Sequence, residues 1–201
     1  MNESKIWTAL MSVGMTAAGA AGLMGNLKAE SNLEPQNLEN QYERKLGYTD
    51  ATYTAAVDDG SYTNFENDAA GYGLAQWTYH TRKAALLAFA KAQGKSIGDL
   101  GMQLDFLIRE IKSDYPAVWR TLTETSSVQA ASDAVLLRFE RPADTSERVR
   151  RLRAGFGERF LAELGSTEVP DPVTPPCPAA ETIEGTLTIG GKTYTVTLTE
   201  V

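Results

Sequence analysis

The sequence predicts a mainly α-helical domain at residues 1–165, then a proline-rich linker at 166–180 and a small β-hairpin at 181–201. Three observations predict this order. Apolar residues recur at helical spacing through most of the first 165 residues. Five of the eight prolines fall in the linker, which is typical of an extended spacer. Near the end of the chain, apolar and polar residues alternate on both sides of Gly190-Gly191, the pattern of a hairpin with a two-residue turn.

The first two helices are predicted at about residues 4–13 and 17–30. Between them, Gly14 is typical of the residue that follows a helix, and Thr16 is typical of the residue that caps the next one. Residues 6–27 carry no charge and are long enough to cross a bilayer. They consist largely of Ala, Gly, Thr and Ser, so two packed helices are favoured over a signal anchor.

A cleavable signal peptide fits the N-terminus poorly. Glu3 offsets Lys5 in the leading segment, and no run of Leu or Val follows. We therefore expect no cleavable signal peptide and no stable membrane insertion.

The second predicted helix carries Gly19, Gly22 and Gly25 about one turn apart along one side. Each glycine costs a helix about 1 kcal/mol relative to alanine. Close packing of another backbone against this face would offset that cost. We therefore expect this helix to be deeply buried.

Residues 36–71 show little periodicity and hold many tyrosines and carboxylates. A short helix is predicted over 51–59, capped by Thr49 or Asp50 and closed by Gly60. A hairpin that turns at the same glycine is the alternative. Irregular segments of this length inside a compact domain are usually functional, so this segment is the expected active-site region.

Five further helices are predicted before residue 165. Their predicted starts are Thr81, a capping box at Ser96–Asp99 that begins with Ser96, Pro116, Ser127, and Thr145 or Ser146. The helix that begins at Ser127 is expected to run through Phe139, and the last helix is expected to end at Gly165. Their apolar stripes predict one helical body with a single core.

Charge and residue counts exclude several classes of function. The net charge of −7 argues against nucleic-acid binding through a broad basic surface. The one cysteine, Cys177, excludes an intrachain disulfide and a zinc site built from several thiolates. The one histidine, His80, excludes a multi-histidine metal centre. We therefore expect carboxylate chemistry that uses no metal and no cofactor.

Glu30 is the candidate catalytic acid. It falls on the last turn of the predicted buried helix, where the negative end of the helix dipole and the loss of solvent both disfavour a charged carboxyl. A protonated carboxyl is what the cleavage of a glycosidic bond needs in order to protonate the leaving oxygen. An exposed glutamate at a helix end is the alternative for this residue taken alone.

Three stretches of the chain carry a resemblance to a known family. They are Gly-Leu-Met-Gly-Asn-Leu-Lys-Ala-Glu-Ser at residues 22–31, Asp-Ala-Ala-Gly-Tyr-Gly-Leu-Ala-Gln-Trp-Thr at 68–78, and Phe-Glu-Arg-Pro at 139–142 followed by Arg148. In this order and spacing, the sequence resembles the phage lysozymes found in tail-associated cell-wall hydrolases and endolysins, which belong to the lysozyme-like superfamily. The resemblance covers about residues 4–165.

The resemblance implies a lysozyme-like fold in which a central helix delivers Glu30 to a cleft and the turn at 71–77 lines the opposite wall. Gln76 is then expected to bind the substrate or the catalytic carboxyl, and the aromatic residues are expected to stack on sugar rings. The substrate-binding residues expected on this basis are Ser31, Tyr72, Gln76, Trp77 and Tyr79. Core packing is the alternative for the aromatic residues, and a surface position at a helix start is favoured for His80.

The second carboxylate is expected to be Asp68, because it directly precedes the cleft turn. Asp59 and Glu66 are the next candidates. Several relatives in the broader group work with one glutamate and let the sugar's own N-acetyl or 6-hydroxyl group assist. Glu140-Arg141 is expected to serve folding as an ion pair near the start of the last helix.

The expected function is hydrolysis of bacterial peptidoglycan strands at the β-1,4 bond between N-acetylmuramic acid and N-acetylglucosamine. One alternative is a lytic transglycosylase that uses the same Glu30 and forms 1,6-anhydro products. Another is a glycan-binding module without turnover. The protein is expected in the host cytoplasm before its release to the cell wall, or on a phage particle.

The arginine-rich stretch near the end of the domain is expected to be a solvated helix face, with a basic patch for anionic wall polymers as the alternative. The C-terminal hairpin could mediate self-association.

Overall fold

The computed structural model describes residues 2–166 and the backbone of residues 182–189 and 192–199. The chain divides into two units, Met1–Thr167 and Glu168–Val201. The first unit is helical and contains every residue that the sequence places in the candidate site.

Nine α-helices and one π-helical segment form the described part of the first unit. They are α1 (Asn2–Ser12), α2 (Ala17–Ser31), α3 (Asn40–Leu46), α4 (Asp50–Asp58), α5 (His80–Gln93), α6 (Leu100–Asp114), α7 (Pro116–Glu124), α8 (Val128–Ala134), the π-helical segment (Val135–Glu140) and α9 (Glu147–Leu164). The predicted mainly α-helical fold class is confirmed for this part of the chain.

Helix α2 lies at the centre of the unit, and its residues from Ala18 to Leu27 are all buried. A Cβ atom on Gly19 would lie 1.9 Å from the Leu122 carbonyl oxygen of α7. A Cβ atom on Gly22 would lie 2.5 Å from the Ala131 Cβ of α8. On Gly25 it would lie 2.3 Å from a carbonyl oxygen of α9. The predicted close packing against the glycine face is confirmed, and three different helices provide it.

Several predicted helix boundaries are confirmed by their caps. The Thr16 hydroxyl accepts a hydrogen bond from the Gly19 amide at 2.9 Å. Thr49 caps α4 and forms a capping box with Thr52, so the helix and not the hairpin occupies residues 50–58. Pro116 begins α7, and Ser127 caps α8.

Other boundaries differ from the prediction. Helix α6 is capped by Asp99, whose side chain accepts a hydrogen bond from the Met102 amide at 2.8 Å, and not by Ser96. The helix predicted from Ser127 through Phe139 is interrupted, since its second half is the π-helical segment that ends at Glu140. Helix α3 was not predicted, because residues 40–46 are mostly polar and none of them is buried.

Within the described residues, no helix combines the length and the apolar character that crossing a membrane requires. The prediction of two packed helices at the N-terminus is confirmed, because α1 and α2 are separate elements whose buried residues belong to one hydrophobic core.

The second unit contains two antiparallel strands, β1 (Thr182–Ile189) and β2 (Lys192–Thr199). Thr182 lies opposite Thr199, and Ile189 lies opposite Lys192. Residues 167–181, which make up most of the predicted linker, and Gly190-Gly191 of the predicted turn lie outside the described residues. The linker and the complete hairpin therefore stay predictions.

Candidate active site

Glu30 lies on the last turn of α2, and its side chain is 18% exposed. Its Oε1 atom lies 2.6 Å from Nη1 of Arg153, a buried arginine on α9. The same Nη1 atom donates to Oδ1 of Asn26 at 3.2 Å. Asn26 in turn donates from Nδ2 to the Ser132 carbonyl oxygen of α8 at 3.1 Å. The carboxyl group is therefore fixed in place by side chains from α2 and α9, and α8 anchors them.

The ion pair corrects one expectation. Glu30 was expected to be a desolvated carboxyl group without a charged partner, but the guanidinium group of Arg153 lies against it. Arg153 comes from the arginine-rich stretch that was expected to be a solvated face, and it is 8% exposed. Sequence reasoning could not place this cation, because the two residues are 123 positions apart.

A cleft of about 880 Å³ opens beside Glu30. Its wall is made by the end of α2, the residues before and at the start of α5, and the end of the π-helical segment. The lining residues are Glu30, Glu39, Glu66, Asn67, Ala69, Gln76, Thr78, Tyr79, His80, Arg82, Glu140 and Pro142. Four of these twelve residues are glutamates, so the cleft is rich in carboxyl groups.

A second cavity of about 440 Å³ shares Glu30, Glu39 and Gln76 with the first. Its other lining residues are Lys28, Ala29, Ser31, Asn32, Asn37, Asn40 and Gln41. Glu30 therefore lies on the wall of both cavities, and the second cavity is rich in carboxamide groups.

Gln76 is held in a fixed orientation on this wall. Its backbone has a φ of +45°, and its Nε2 atom donates to Oδ1 of Asn37 at 2.9 Å and to the Gly73 carbonyl oxygen at 3.2 Å. A Cβ atom on Gly71 would lie 2.7 Å from Oε1 of Gln76, so only glycine fits beside this amide without a shift. The structure places Gln76 in the cleft as expected, and its side-chain hydrogen bonds go to Asn37 and Gly73 and not to Glu30.

Glu39, which sequence reasoning missed, is bound to the same turn. Its Oε2 atom accepts a hydrogen bond from the Gly71 amide at 3.0 Å, and its backbone amide donates to the Gly71 carbonyl oxygen at 2.9 Å. No local signal marks Glu39, because it precedes a short polar helix that the sequence did not predict.

Asp68 does not lie on the cleft wall. Its side chain is 1% exposed and lies 2.5 Å from Nζ of the buried Lys83 on α5. Its carboxylate also accepts hydrogen bonds from the hydroxyls of Tyr53 and Tyr62. Burial lowers the pKa of Lys83, and Asp68 partly opposes that shift. Burial, and then the charge of Asp68, raise the pKa of Tyr62 to about 12. Asp68 thus joins the loop to α5, and the structure does not bring it to Glu30.

The aromatic residues of the turn separate into core and cleft. Tyr72 is fully buried, and its hydroxyl lies 2.6 Å from the Thr54 hydroxyl. Trp77 is also fully buried, and its Nε1 atom donates to Oε2 of Glu110 at 3.0 Å. Neither can stack on a sugar in this structure, because core packing encloses both rings. Tyr79 is 66% exposed and lines the cleft beside His80.

Ser31 is buried and connects α2 to the turn, since its hydroxyl donates to the Leu74 carbonyl oxygen at 2.9 Å. It lines only the smaller cavity. Of the substrate-binding residues expected from the sequence, Gln76 and Tyr79 line the larger cleft.

Glu140, at the end of the π-helical segment, lines the cleft with Glu30. Its Oε1 atom is buried and has no hydrogen-bond partner among the described residues. The expected ion pair with Arg141 is not formed among the described residues, and Arg141 ends the π-helical segment with a φ of +52°. Burial, followed by the charge of Glu30, raises the pKa of Glu140 well above its usual range. The only sequence signal for this residue is the Phe-Glu-Arg-Pro motif.

Among residues 2–166, no group of three or more histidine, cysteine, aspartate or glutamate side chains is arranged to hold a metal ion.

The described part of the first unit is thus a helical domain whose central helix carries a glutamate on its last turn, beside a cleft lined by carboxyl groups. The chain belongs to the phage tail lysozyme family, whose sequence pattern matches residues 1–156. It is also similar to morphogenesis protein 1 of Bacillus phage B103, with 25% identity over 178 residues. That match covers 84% of this chain and 41% of the relative, so the chain spans less than half of the relative's length. The family resemblance predicted from the sequence is confirmed.

Proposed function

We propose that this protein is a peptidoglycan hydrolase that cleaves the β-1,4 bond between N-acetylmuramic acid and N-acetylglucosamine, with Glu30 as the general acid. The observation that carries the proposal is the position of Glu30 on the wall of both cavities, in a chain of the phage tail lysozyme family. The family supports bacterial peptidoglycan as the substrate and a glycoside hydrolase as the type of enzyme. The description of that family as phage tail lysozymes supports a location on the phage particle.

The shape and lining of the two cavities support a polymeric sugar as substrate. Because they share Glu30, Glu39 and Gln76, a strand that occupies both would cross the catalytic carboxyl. The carboxamides of the smaller cavity suit the hydroxyl and N-acetyl groups of such a strand. The exposed ring of Tyr79 offers a flat apolar face to a sugar ring in the larger cleft.

In the proposed reaction, Glu30 gives a proton to the glycosidic oxygen while the bond from that oxygen to the sugar's anomeric carbon breaks. Arg153 and Asn26 hold the carboxyl group in position during this step. Water then adds to the anomeric carbon and releases a proton. The positive charge that develops on the sugar is stabilised by the carboxylates of the cleft.

Glu39 replaces Asp68 in this proposal as the second carboxylate. Glu39 lies with Glu30 on both cavities, and the Gly71 amide orients its carboxylate. Asp68 is enclosed by Lys83 and two tyrosine hydroxyls, so it has no access to water or sugar. Glu66 lines only the larger cleft and is the alternative for this role.

Mass spectrometry of the fragments released from purified peptidoglycan tests the proposed reaction. Fragments that end in reducing N-acetylmuramic acid support hydrolysis at the proposed bond. Fragments that end in 1,6-anhydro sugars would instead show a lytic transglycosylase with the same Glu30. Binding to peptidoglycan without any released fragment would show a glycan-binding module.

A matched variant pair tests the second carboxylate. Glu39→Gln is expected to lower the saturating rate by about 100-fold, the usual contribution of a general base. Glu66→Gln is expected to leave that rate within about threefold, since it removes only a rim charge. The reverse order of the two variants would transfer the role to Glu66.

A further inference from the structure

The surroundings of Glu140 contain more carboxyl groups than cations. The charged groups that face Glu140 are Glu30 from α2, Arg82 from α5, Glu110 from α6 and Arg153 from α9. With Glu140 itself, three carboxyl groups meet two guanidinium groups.

Both guanidinium groups already have a carboxylate partner. Arg82 makes a two-point ion pair with Glu110, with its Nε atom 2.6 Å from Oε1 and its Nη2 atom 2.9 Å from Oε2. Arg153 pairs with Glu30 at 2.6 Å. Among the described residues, no cation lies within ion-pair distance of Glu140. A buried carboxyl group without a partner avoids the cost of burying a charge by keeping its proton.

The backbone holds Glu140 in this position. The π-helical segment Val135–Glu140 buries Val135, Leu136 and Phe139, so its last residue is anchored by the core. Arg82 also lies over the Phe139 ring, 4.7 Å from its centroid. π-Helical turns are costly, and they are often retained at functional sites. The segment therefore brings a carboxyl group with a buried, unpaired oxygen to the cleft wall that Glu30 occupies.

We propose that Glu140 holds the proton that Glu30 passes to the glycosidic oxygen. This inference rests on the proposed function of Glu30. Glu140 acts through Glu30 and is a positioning residue in the sense that it places a proton and does not contact the substrate.

The proposal accounts for a difficulty in the chemistry of Glu30. A guanidinium group lies against Glu30, whereas a general acid must begin the reaction with a proton. In the proposed sequence, the O–H bond of Glu140 breaks and its proton moves to a Glu30 oxygen. Glu30 then gives the proton to the glycosidic oxygen as the sugar bond breaks. Glu39, the general base of the proposed function, takes one proton from the water that adds to the anomeric carbon. That proton returns through solvent to the two carboxyl groups, so no other reactant is needed.

Glu140→Gln is the decisive variant, because glutamine keeps the size and the neutrality of a protonated glutamate and removes the transferable proton. We expect its saturating rate on purified peptidoglycan near neutral pH to fall by about tenfold or more, with the half-saturating concentration unchanged. We also expect the alkaline limb of its pH–rate profile to move to lower pH. Glu140→Asp is expected to recover part of the rate, because it restores a transferable proton.

A purely structural role predicts a different outcome. If Glu140 only fills space, Glu140→Gln leaves both the saturating rate and the pH–rate profile as in the wild type, and the proposal is overturned. Thermal unfolding of each variant shows that the measured rates belong to folded protein. Glu34→Gln, an exposed glutamate off both cavities, serves as the control for losing one negative charge.

A second measurement does not depend on activity and separates this inference from the proposed function. Infrared difference spectroscopy detects the C=O stretch of protonated carboxyl groups. Near neutral pH, the wild type is expected to show one such band that is missing in Glu140→Gln. In Glu30→Gln the band is expected to disappear at a lower pH than in the wild type, because the charge that helps to keep Glu140 protonated is gone. If the wild type shows no such band near neutral pH, the proposal is overturned even when the protein degrades peptidoglycan. If the band is present but peptidoglycan is not cleaved, the proposed function fails and the proton-transfer role fails with it.

Discussion

Gly25→Ala tests the packing that places Arg153 beside Glu30. The added Cβ atom would lie 2.3 Å from the Arg153 carbonyl oxygen and 2.8 Å from the Gly157 amide nitrogen, about 1 Å short of ordinary contact. Both obstacles are backbone atoms, so α9 must move away from α2. Because neither backbone atom can give way by a side-chain rotation, the overpacking costs about 3 kcal/mol, the upper end of the usual range, and the gain from alanine in a helix returns about 1 kcal/mol. We expect a net loss of about 2 kcal/mol in the free energy of unfolding.

Thermal unfolding followed by circular dichroism measures this change. In a domain of this size the loss corresponds to a fall in Tm of about 4–8 °C. Gly155→Ala in α9 is the matched control, because nothing lies within 4 Å of its added Cβ atom. That control is expected to raise Tm by about 2–4 °C through helix propensity alone. If Gly25→Ala is as stable as Gly155→Ala, the claim that Gly25 is needed for the close packing of α2 on α9 is contradicted.

Three further predictions follow from the surroundings of single side chains. Asp68→Asn leaves Lys83 as a buried cation with a weakened partner, so it is expected to lower the free energy of unfolding by about 3 kcal/mol. The folded fraction is expected to keep its rate on peptidoglycan. A normal Tm with lost activity would return Asp68 to the catalytic site. Tyr79→Ala is expected to raise the half-saturating peptidoglycan concentration by about three- to tenfold without changing Tm. Trp77→Phe is expected to lower Tm without changing the half-saturating concentration. The opposite pattern would contradict the assignment of Tyr79 to the cleft and Trp77 to the core. Because the pKa of Glu140 is raised in the folded state, folding takes up a proton between the ordinary carboxyl pKa and the raised one, so the free energy of unfolding falls there as pH rises. The Tm of Glu140→Gln minus the Tm of the wild type is therefore expected to increase as pH rises from about 4 to about 7. A Tm difference that does not change with pH would refute the raised pKa of Glu140.

The elements that sequence reasoning located correctly are those with local signals. Thr16, Thr49 and Ser127 cap helices through bonds to amides three residues ahead, so their effect can be seen in a few neighbouring positions. The glycine face of α2 was also readable, because three costly residues on one side need a common reason. The π-helical segment had no such signal, since its register depends on what the core accepts at Phe139.

The site was predicted in part for the same reason. Glu30 was identifiable from its position at a helix end and from the motif around it. The partner of Glu30 was not, because Arg153 reaches it only through the packing of α9 on α2. Tyr72 and Trp77 share a glycine-rich turn with Gln76, and sequence alone cannot tell which side chains of a turn enter the core. The isolation of Glu140 is a balance of charges from four other segments, which exists only in the folded chain.

The most direct test of Glu30 as the general acid compares the peptidoglycan-cleavage rates of the wild type, Glu30→Gln and Glu34→Gln. The rate of appearance of new reducing ends in purified peptidoglycan would be followed for all three proteins at equal folded concentration. We expect the rate of Glu30→Gln to be at least about 100-fold lower than that of the wild type, and the rate of Glu34→Gln to stay within about twofold of it. Wild-type turnover in Glu30→Gln would contradict the claim that this carboxyl group delivers the proton to the sugar bond.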